Sequence, residues 1–377
     1  MGRGDRDEAV RHLESAFDLV QDRGPSPEKA YVLQELSRIA MMGNDFDRAI
    51  ELGSESLGLA EELGLDATRA RNLNTLGVAR IHTGDPGGLD DLEQAVAIAA
   101  AAHSHEEASA AANLTWMTAL LGDLRRAGEL HEQGRRIADR LGLDGFIRWQ
   151  RAEHAFHCHW EGRWDEAFAT AEEFIQEVEA GQAHYMEAAC RYIRGTIQLA
   201  RGDVTAALAD ARRATDAARG ARDPQTLDPA LAFEARTRLA VDDRERANAL
   251  ADELLDAWRS QGVPPGHESV DGVWAFSELG RSSEFADALE RGRAQTPWHE
   301  AARLVIAGDA AGAADLYREI GSVPDEAYAR LRAAAALVGA GRRAEADAQL
   351  RLALPVLAKL GANAWTAEAE ALLAESA

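Results

Sequence analysis

The polar and apolar positions of the chain repeat one arrangement: a turn-forming glycine, four residues, and then an alanine. Clear copies are Gly4 with Ala9, Gly122 with Ala127, Gly162 with Ala167, Gly202 with Ala207, Gly308 with Ala313 and Gly341 with Ala346. Looser copies begin at Gly43 and Gly84, and degenerate ones at Asp242 and Gly280. From Gly4 to Gly202 the successive glycines lie 38 to 41 residues apart, and after Gly280 the steps shorten to 28 and 33. A repeated structural unit of about this length is therefore predicted.

Each repeat is predicted to be a pair of helices. The glycine ends the first helix because it adopts the left-handed conformation cheaply. An Asp at or near the next position caps the second helix, and acidic residues favour its first turn. The alanine stands where the two helices cross. A second small residue often occurs seven positions before the glycine, at Gly77, Thr115, Ala155, Gly195, Ala301 and Ala334.

Applied along the chain, this pattern predicts one opening helix, nine hairpins and a final helix. The opening helix covers about 5–23 and the final helix about 363–375. The hairpins cover about 27–63, 66–102, 104–141, 145–181, 183–220, 229–261, 268–295, 297–321 and 324–360. Asp223-Pro224 and Asp228-Pro229 are expected to bracket a looser connection. The prolines and glycines at 262–267 forbid helix, so we expect long-period repeats over 1–261 and shorter, degenerate ones over 262–377, joined in one solenoid.

The spacing from small residue to turn glycine to alanine resembles the tetratricopeptide (TPR) pattern over nearly the whole chain. The longer period resembles the sensor arrays of bacterial LuxR-type ATP-dependent regulators. The segment from Trp298 onward, with Trp298-His299-Glu300-Ala301-Ala302 and Pro324-Asp325-Glu326-Ala327-Tyr328, resembles the carboxy-terminal arrays of signalling proteins that join a cyclase to an ATPase. These resemblances imply an all-α, right-handed superhelical α-solenoid that binds a partner, in a signalling or transcription-regulatory system. The sequence contains neither a cyclase core nor a phosphate-binding loop.

Composition narrows the partners and the compartment. The chain of 377 residues carries 41 basic and 64 acidic residues, a net charge of −23, which repels nucleic acid and anionic lipid. Two cysteines, Cys158 and Cys190, cannot form a disulfide framework. No signal peptide and no run of eighteen apolar residues occur. A cytoplasmic location is therefore expected, without membrane or nucleic-acid contact.

The candidate chemistry is sparse. His154, His157 and Cys158 share one helix face at spacings of three and four residues, and such a face can supply two zinc ligands. The repeat frame favours packing instead, because it turns position 158 to the core and His159 to the opposite side of the helix. No nucleophile motif is present. We therefore expect no metal, no cofactor and no enzymatic activity.

The candidate binding residues come from the TPR resemblance, which implies that the first helix of each hairpin lines a concave groove. The slots carried over to this sequence give Arg71, Asn74, His82, Trp116, Trp149, Phe156, His159, Trp160 and Tyr192. Three of these, Trp149, Phe156 and Trp160, stand with His159 in a single hairpin, in a chain in which only 6% of the residues are Phe, Trp or Tyr. The rings either fill the wider spacing of a long repeat or form a recognition surface, and the second interpretation predicts a groove centred on residues 112–192.

Three functions remain open from the sequence. The first is a regulatory sensor or adaptor that binds a protein segment, a peptide or a small effector and passes a change of shape to an output domain. The second is a constitutive scaffold between proteins, and the third is a ligand-binding or catalytic pocket inside the superhelix. A homodimer is possible, because TPR arrays often pair through terminal helices, and the chain could be part of a larger regulator.

Overall fold

The computed structural model describes residues 6–221, 224–260 and 262–376, and these residues form helices and connecting turns without a strand among them. The helices in chain order are α1 (Arg6–Val20), α2 (Pro27–Met42), α3 (Phe46–Glu62), α4 (Asp66–His82), α5 (Gly88–Ala101), α6 (Glu106–Leu120), α7 (Leu124–Leu141), α8 (Asp144–Trp160), α9 (Trp164–Glu179), α10 (Glu187–Arg201), α11 (Val204–Ala221), α12 (Pro224–Leu239), α13 (Arg244–Ala257), α14 (Glu268–Leu279), α15 (Ser282–Leu289), α16 (Pro297–Ile306), α17 (Ala310–Ile320), α18 (Val323–Gly339), α19 (Arg343–Leu360) and α20 (Asn363–Ser376). The predicted hairpins are therefore confirmed, from α2–α3 to α18–α19, with α20 as the final helix.

The chain divides into two compact units. Among the described residues, unit 1 comprises 6–119 and 126–150, and unit 2 comprises 120–125, 151–221, 224–260 and 262–376. The predicted change from long to short repeats at 261/262 falls inside unit 2, and it stays a prediction.

The turn glycines adopt the predicted left-handed conformation, and at the two exceptions an Asn or an Asp adopts it instead. Gly122, Gly162 and Gly202 have φ values of 86°, 76° and 96°. In the looser copy Gly43 has φ −92°, and its neighbour Asn44 takes the left-handed turn at φ 60°. Asp242 does the same at φ 58° where no glycine is present. Asn and Asp tolerate this conformation better than other side chains. Gly4 lies outside the described residues.

The crossing of two helices in unit 1 shows why small residues recur. A Cβ added to Gly77 of α4 would lie 2.6 Å from the carbonyl oxygen of Gly88, and one added to Gly88 of α5 would lie 2.3 Å from that of Gly77. The two backbones therefore touch directly. In three other copies the crossing alanines, Ala127, Ala167 and Ala207, are fully buried.

One predicted connection is wrong. Asp228-Pro229 does not lie in a connection between helices, because α12 begins at Pro224 and includes Pro229. The indole Nε1 of Trp258 donates a 2.8 Å hydrogen bond to Asp228 Oδ2, which ties the first turns of α12 to the end of α13. Pro229 is the sixth residue of α12, so its missing N–H forfeits one hydrogen bond within the helix, and the buried tie at Asp228 helps to offset that loss. Asp223 lies outside the described residues.

In unit 2 the first helices of successive hairpins follow one another. Helix α10 packs on α12, α12 on α14 and α14 on α16, while α18 packs on α20. The last helix, α20, also packs against α10. The even-numbered helices of unit 2 therefore enclose a common interior.

The proline-rich break at 262–267 is held from α16. The imidazole Nε2 of His299 lies 2.9 Å from the Pro264 carbonyl oxygen, and the Thr296 hydroxyl donates to the Pro265 carbonyl oxygen. Both side chains are buried. These contacts fix the segment that carries His267 into the interior of unit 2.

None of the described helices combines the length and the apolar character that crossing a membrane would require.

Candidate functional site

A set of buried and half-buried polar and charged side chains meets in the interior of unit 2. We call it the inner cluster, and its members are His159, Tyr192, Arg236, His267, Asp271, Tyr317, Asp325 and Tyr328. They come mainly from the even-numbered helices α8, α10, α12, α14 and α18, with Tyr317 from α17 and His267 from the residue before α14. The repeat architecture explains the convergence, because equivalent positions of successive first helices face the same side.

One half of the inner cluster is organised by Arg236. Its guanidinium forms an ion pair with Asp271, and both side chains are at most one-tenth exposed. The guanidinium carbon also lies 4.2 Å from the centre of the Tyr328 ring, at the distance of a cation–π contact. A buried charge needs such partners, because an uncompensated one is costly in a low-dielectric interior. Arg236 is thus fixed in position by groups from α14 and α18.

The other half is organised by His267. Its Nε2 lies 3.4 Å from Asp325 Oδ2, and the hydroxyl of Ser322 donates to the same carboxylate. Burial opposes the charged imidazole, but the carboxylates of Asp325, Asp271 and Glu268 outweigh it and raise the pKa of His267. Burial likewise opposes the Asp325 carboxylate, and His267 with the Ser322 hydrogen bond lowers its pKa nonetheless.

The order of these contacts bears on catalysis. An activated serine needs its hydroxyl against the imidazole that takes its proton. Here the Ser322 hydroxyl is directed to Asp325, and the carboxylate stands between the hydroxyl and His267. The trio is therefore arranged as a buried ion pair with a supporting hydrogen bond and not as a nucleophile with its base.

Four buried polar atoms of this interior have no hydrogen-bond partner among the described residues. They are His159 Nδ1, Asp271 Oδ2, Trp274 Nε1 and Tyr317 Oη. The four side chains are between 0% and 9% exposed. Folded proteins satisfy nearly all such atoms, since each unsatisfied one costs about 1–3 kcal/mol. Other buried polar atoms without a partner occur elsewhere in the described residues, but these four lie around the inner cluster, where a polar ligand would supply their missing partners.

Aromatic rings wall the inner cluster. The imidazole of His267 meets the rings of Trp160, Tyr192 and Trp298 edge-on, with centroids 5.7, 6.0 and 5.3 Å away. On the opposite half, Tyr328 contacts Trp274 at 5.3 Å and Trp365 at 4.8 Å. Such rings supply a large contact area at low entropic cost.

Four of the residues predicted from the sequence lie here together. Phe156 packs against Trp160 and Tyr192, with ring centroids 5.6 and 6.1 Å apart. His159 stacks on Trp164 at 5.6 Å, and burial lowers its pKa to about 4. All four predicted residues are at most 8% exposed. That these four residues contact a ligand, in addition to packing against one another, stays a prediction.

The other predicted residues belong to unit 1. Arg71 Nε donates to Glu106 Oε1 at 2.8 Å, and Asn74 Oδ1 accepts from Asn113 Nδ2 at 2.9 Å, so both link α4 to α6. His82 stacks on Phe46 at 4.5 Å, and burial lowers its pKa to about 4. Trp116 and Trp149 are half-buried.

Several residues of the inner cluster and of the aromatic rings around it were not predicted, although they occupy groove-lining positions of the repeat. The predicted groove residues end at the hairpin of Tyr192. Counted on from Asp242 and Gly280 the same frame selects Arg236 and Trp274, and counted from Ala301 and Ala334 it selects Trp298 and Tyr328. His267 had no such signal, because it stands in a connection.

Unit 1 also carries a surface cavity of about 400 Å³. Its floor includes Leu73 and Leu76, and its rim includes Arg80, Asp85 and Asp91. Arg80 already pairs with both carboxylates, at 2.8 and 2.5 Å. Because the charged side chains of this cavity pair with one another, the cavity is a weaker candidate for a ligand-binding site than the inner cluster.

Comparisons with known proteins identify the fold. No protein-family profile matches the sequence, and no curated protein matches it either. Among solved structures, Rap protein complexed with Competence and Sporulation Factor superposes with a TM-score of 0.58 at 13% identity, covering 94% of this chain and 93% of that one. NprR in complex with its cognate peptide NprX gives 0.56 at 13% identity, covering 83% and 92%. The apo form of the quorum sensor NprR from B. thuringiensis gives 0.50 at 14% identity, covering 94% of each chain. The chain therefore has a TPR-like helical-repeat fold.

Proposed function

We propose that this protein is a non-catalytic regulatory module whose inner cluster binds a peptide or a small polar effector, in a bacterial signalling or transcription-regulatory system. The observation that carries the proposal is the set of unpartnered polar atoms enclosed by aromatic rings in unit 2. The solved structures of NprR with NprX and of Rap with Competence and Sporulation Factor support it as proteins of similar fold that hold such ligands.

The chemistry of the inner cluster favours a ligand with both hydrogen-bond donors and acceptors. Trp274 Nε1 can only donate and the second oxygen of Asp271 can only accept. Arg236 is balanced by Asp271, and His267 by Asp325, so the site demands no strongly charged ligand. Peptide groups offer a donor and an acceptor side by side, and apolar side chains of a peptide would meet the aromatic wall.

The arrangement of Ser322, Asp325 and His267, with the carboxylate between the hydroxyl and the imidazole, supports the non-catalytic part of the proposal. A constitutive scaffold would leave the buried polar atoms unexplained, because such a scaffold needs only its outer surface. The residues Phe156, His159, Trp160 and Tyr192 would then serve the ligand from α8 and α10. The unit 1 residues Arg71, Asn74, His82, Trp116 and Trp149 would serve a partner protein independently.

The test uses a pool of short synthetic peptides of mixed sequence as the probe. The purified chain is incubated with the pool, separated from unbound peptide by gel filtration, and the retained peptides are identified by mass spectrometry. We expect a small recurring set of peptides on the wild-type chain and on Tyr31→Phe, which alters an exposed ring. Tyr317→Phe should retain markedly less, because it removes one of the unpartnered atoms.

Equal retention by Tyr317→Phe and Tyr31→Phe would refute binding at the inner cluster. Retention of no recurring peptide by the wild-type chain would refute the peptide ligand.

A further inference from the structure

Two residues of α8 and one of α9 bring three metal-ligating atoms together in unit 2. His154 and Cys158 are one helical turn apart, and Glu166 stands in the first turn of α9. The His154 Nε2 atom lies 2.9 Å from Glu166 Oε1 and 3.3 Å from Cys158 Sγ. All three atoms are within 4.8 Å of one another. The left-handed turn at Gly162 returns the chain so that Glu166 faces α8.

The spacing of these atoms suits a tetrahedral ion of the zinc class. Zinc bonds of about 2.0–2.3 Å to nitrogen, oxygen and sulfur place neighbouring ligand atoms roughly 3.3–3.7 Å apart. The separations of 2.9 and 3.3 Å therefore need to change by only a few tenths of an ångström. A thiolate and a carboxylate would together balance the two positive charges of the ion.

Access and neighbouring charge also fit. Cys158 is fully buried, the His154 side chain is 15% exposed and that of Glu166 is 49% exposed. An ion could therefore enter past Glu166 and keep a water on that side. Arg163 is the opposing charge nearby, but its guanidinium pairs with the other carboxylate oxygen of Glu166 and with Glu161, which leaves Oε1 for the ion.

We propose that His154 Nε2, the Cys158 thiolate and Glu166 Oε1 bind a zinc-class divalent ion, with water as the fourth ligand. On binding, the Cys158 S–H bond breaks, its proton passes to solvent and a metal–sulfur bond forms. The proton that His154 Nε2 donates to Glu166 is exchanged through solvent to Nδ1, which frees the Nε2 lone pair for the ion, and no electron is transferred. The hydrogen bond between His154 and Glu166 gives way to two metal bonds. This site is independent of the proposed function.

The ion would join α8 to α9 by bonds stronger than the present hydrogen bonds. Because α8 also carries His159 and Trp160 of the interior, metal loading would fix one wall of the inner cluster. Sequence spacing alone offered His154, His157 and Cys158, and it lacked the third ligand that α9 supplies. His157 instead packs edge-on against Trp160, with centroids 5.5 Å apart.

Cobalt(II) is the probe for the test, since a cobalt–thiolate bond gives a charge-transfer band in the near ultraviolet. The chain is stripped with a chelator and titrated with Co²⁺, and Zn²⁺ affinity is then measured by competition with a chelating dye. We expect one Co²⁺ per chain and a band that Zn²⁺ abolishes. Cys158→Ser should remove the band, while Cys190→Ser, at the other buried cysteine, should keep it.

Glu166→Gln guards against misfolding as an explanation, because position 166 is half-exposed. It should weaken Zn²⁺ binding by at least about tenfold, since even outer-shell partners of a metal contribute 10–100-fold. Absence of the band in the wild-type chain, its persistence in Cys158→Ser, its loss in Cys190→Ser, or unchanged Zn²⁺ affinity in Glu166→Gln would each overturn the assignment.

Discussion

Tyr317 and His267 represent the two kinds of polar side chain inside unit 2. The Tyr317 ring is fully buried beside Trp298, and its hydroxyl has no hydrogen-bond partner among the described residues. His267 has partners but depends on them, because its imidazole is held against Asp325 in a nearly dry interior. An empty binding site would keep the first kind at a cost in stability, and an ion pair would make the second kind sensitive to pH.

Removing the Tyr317 hydroxyl should therefore not harm the fold. A buried, unsatisfied hydroxyl costs about 1–3 kcal/mol, so Tyr317→Phe should leave the free energy of unfolding unchanged or raise it by up to that amount. Denaturant melts of the ligand-free chain measure the difference. A clear loss of stability in Tyr317→Phe would mean that the hydroxyl has a structural partner and is not reserved for a ligand.

The pH dependence follows from the raised pKa of His267. A raised pKa gives stability that is full below the unfolded value of about 6.5 and is lost as the pH rises through the folded value. The lowered pKa of Asp325 gives stability that is lost only as the pH falls through its own folded value. The charged and titratable groups facing His267 are Asp325, Asp271, Glu268 and His159, with Arg236 beside Asp271.

We therefore expect the melting temperature of the wild-type chain to fall more steeply than that of His267→Gln as the pH is raised above about 6.5. The glutamine variant keeps a polar side chain of similar reach but cannot titrate. Parallel curves for the two proteins between neutral and alkaline pH would show that His267 is uncharged in the folded state.

At the scale of the helical hairpin, close backbone approach sets which residues are allowed. Gly77 of α4 and Gly88 of α5 touch through their backbones, so neither position has room for a Cβ. Gly58 of α3 offers the contrast, because nothing lies within 4 Å of an added Cβ there. Glycine is therefore required by close packing at position 77, whereas a larger residue would fit at position 58.

Gly77→Ala should lower the free energy of unfolding by about 1–3 kcal/mol, the usual effect of overpacking. Gly58→Ala is the matched control and should raise it by about 0.5–1 kcal/mol, because alanine is the better helix former. Thermal and denaturant melts of both variants decide. A Gly77→Ala chain as stable as Gly58→Ala would mean that α4 and α5 do not cross at this point.

The hairpins could be predicted because their determinants are local. A left-handed turn, a capping Asp and a crossing alanine lie within six residues of one another, as at Gly202, Asp203 and Ala207. The prediction of a connection at Pro229 is wrong, and the contact that helps to stabilise α12 there comes from Trp258, which lies 30 residues beyond Asp228 along the chain. A repeat pattern carries no information on such a pairing.

Only some residues of the interior of unit 2 could be predicted from the sequence, because the others depend on contacts between distant parts of the chain. The slot positions of the repeat select Arg236, Trp274 and Tyr328, since they depend only on distance from a turn. The pairing of His267 with Asp325 joins a connection to a helix several hairpins later, and the contact of α20 with α10 that encloses the interior joins elements still further apart. Only a three-dimensional structure supplies those relations.

At the scale of the whole molecule, both units contain buried polar atoms without a partner among the described residues, and unit 2 brings four of them to the inner cluster. In unit 1 Arg71, Asn74 and Arg80 are already paired with neighbours. In unit 2 the paired charges stand beside atoms with no partner. A ligand that satisfied those atoms would stabilise the helices that carry them, because binding to the native state alone favours that state.

The most direct measurement is backbone hydrogen exchange of the full chain with and without the pool of short synthetic peptides. We expect peptides to slow exchange in the even-numbered helices of unit 2, above all α12, α14 and α18, and to leave the odd-numbered α11 and α13 unchanged. The Tyr317→Phe chain should show a smaller effect at the same peptide concentration. Protection confined to unit 1 or to the odd-numbered helices, or no protection at all, would contradict binding at the inner cluster.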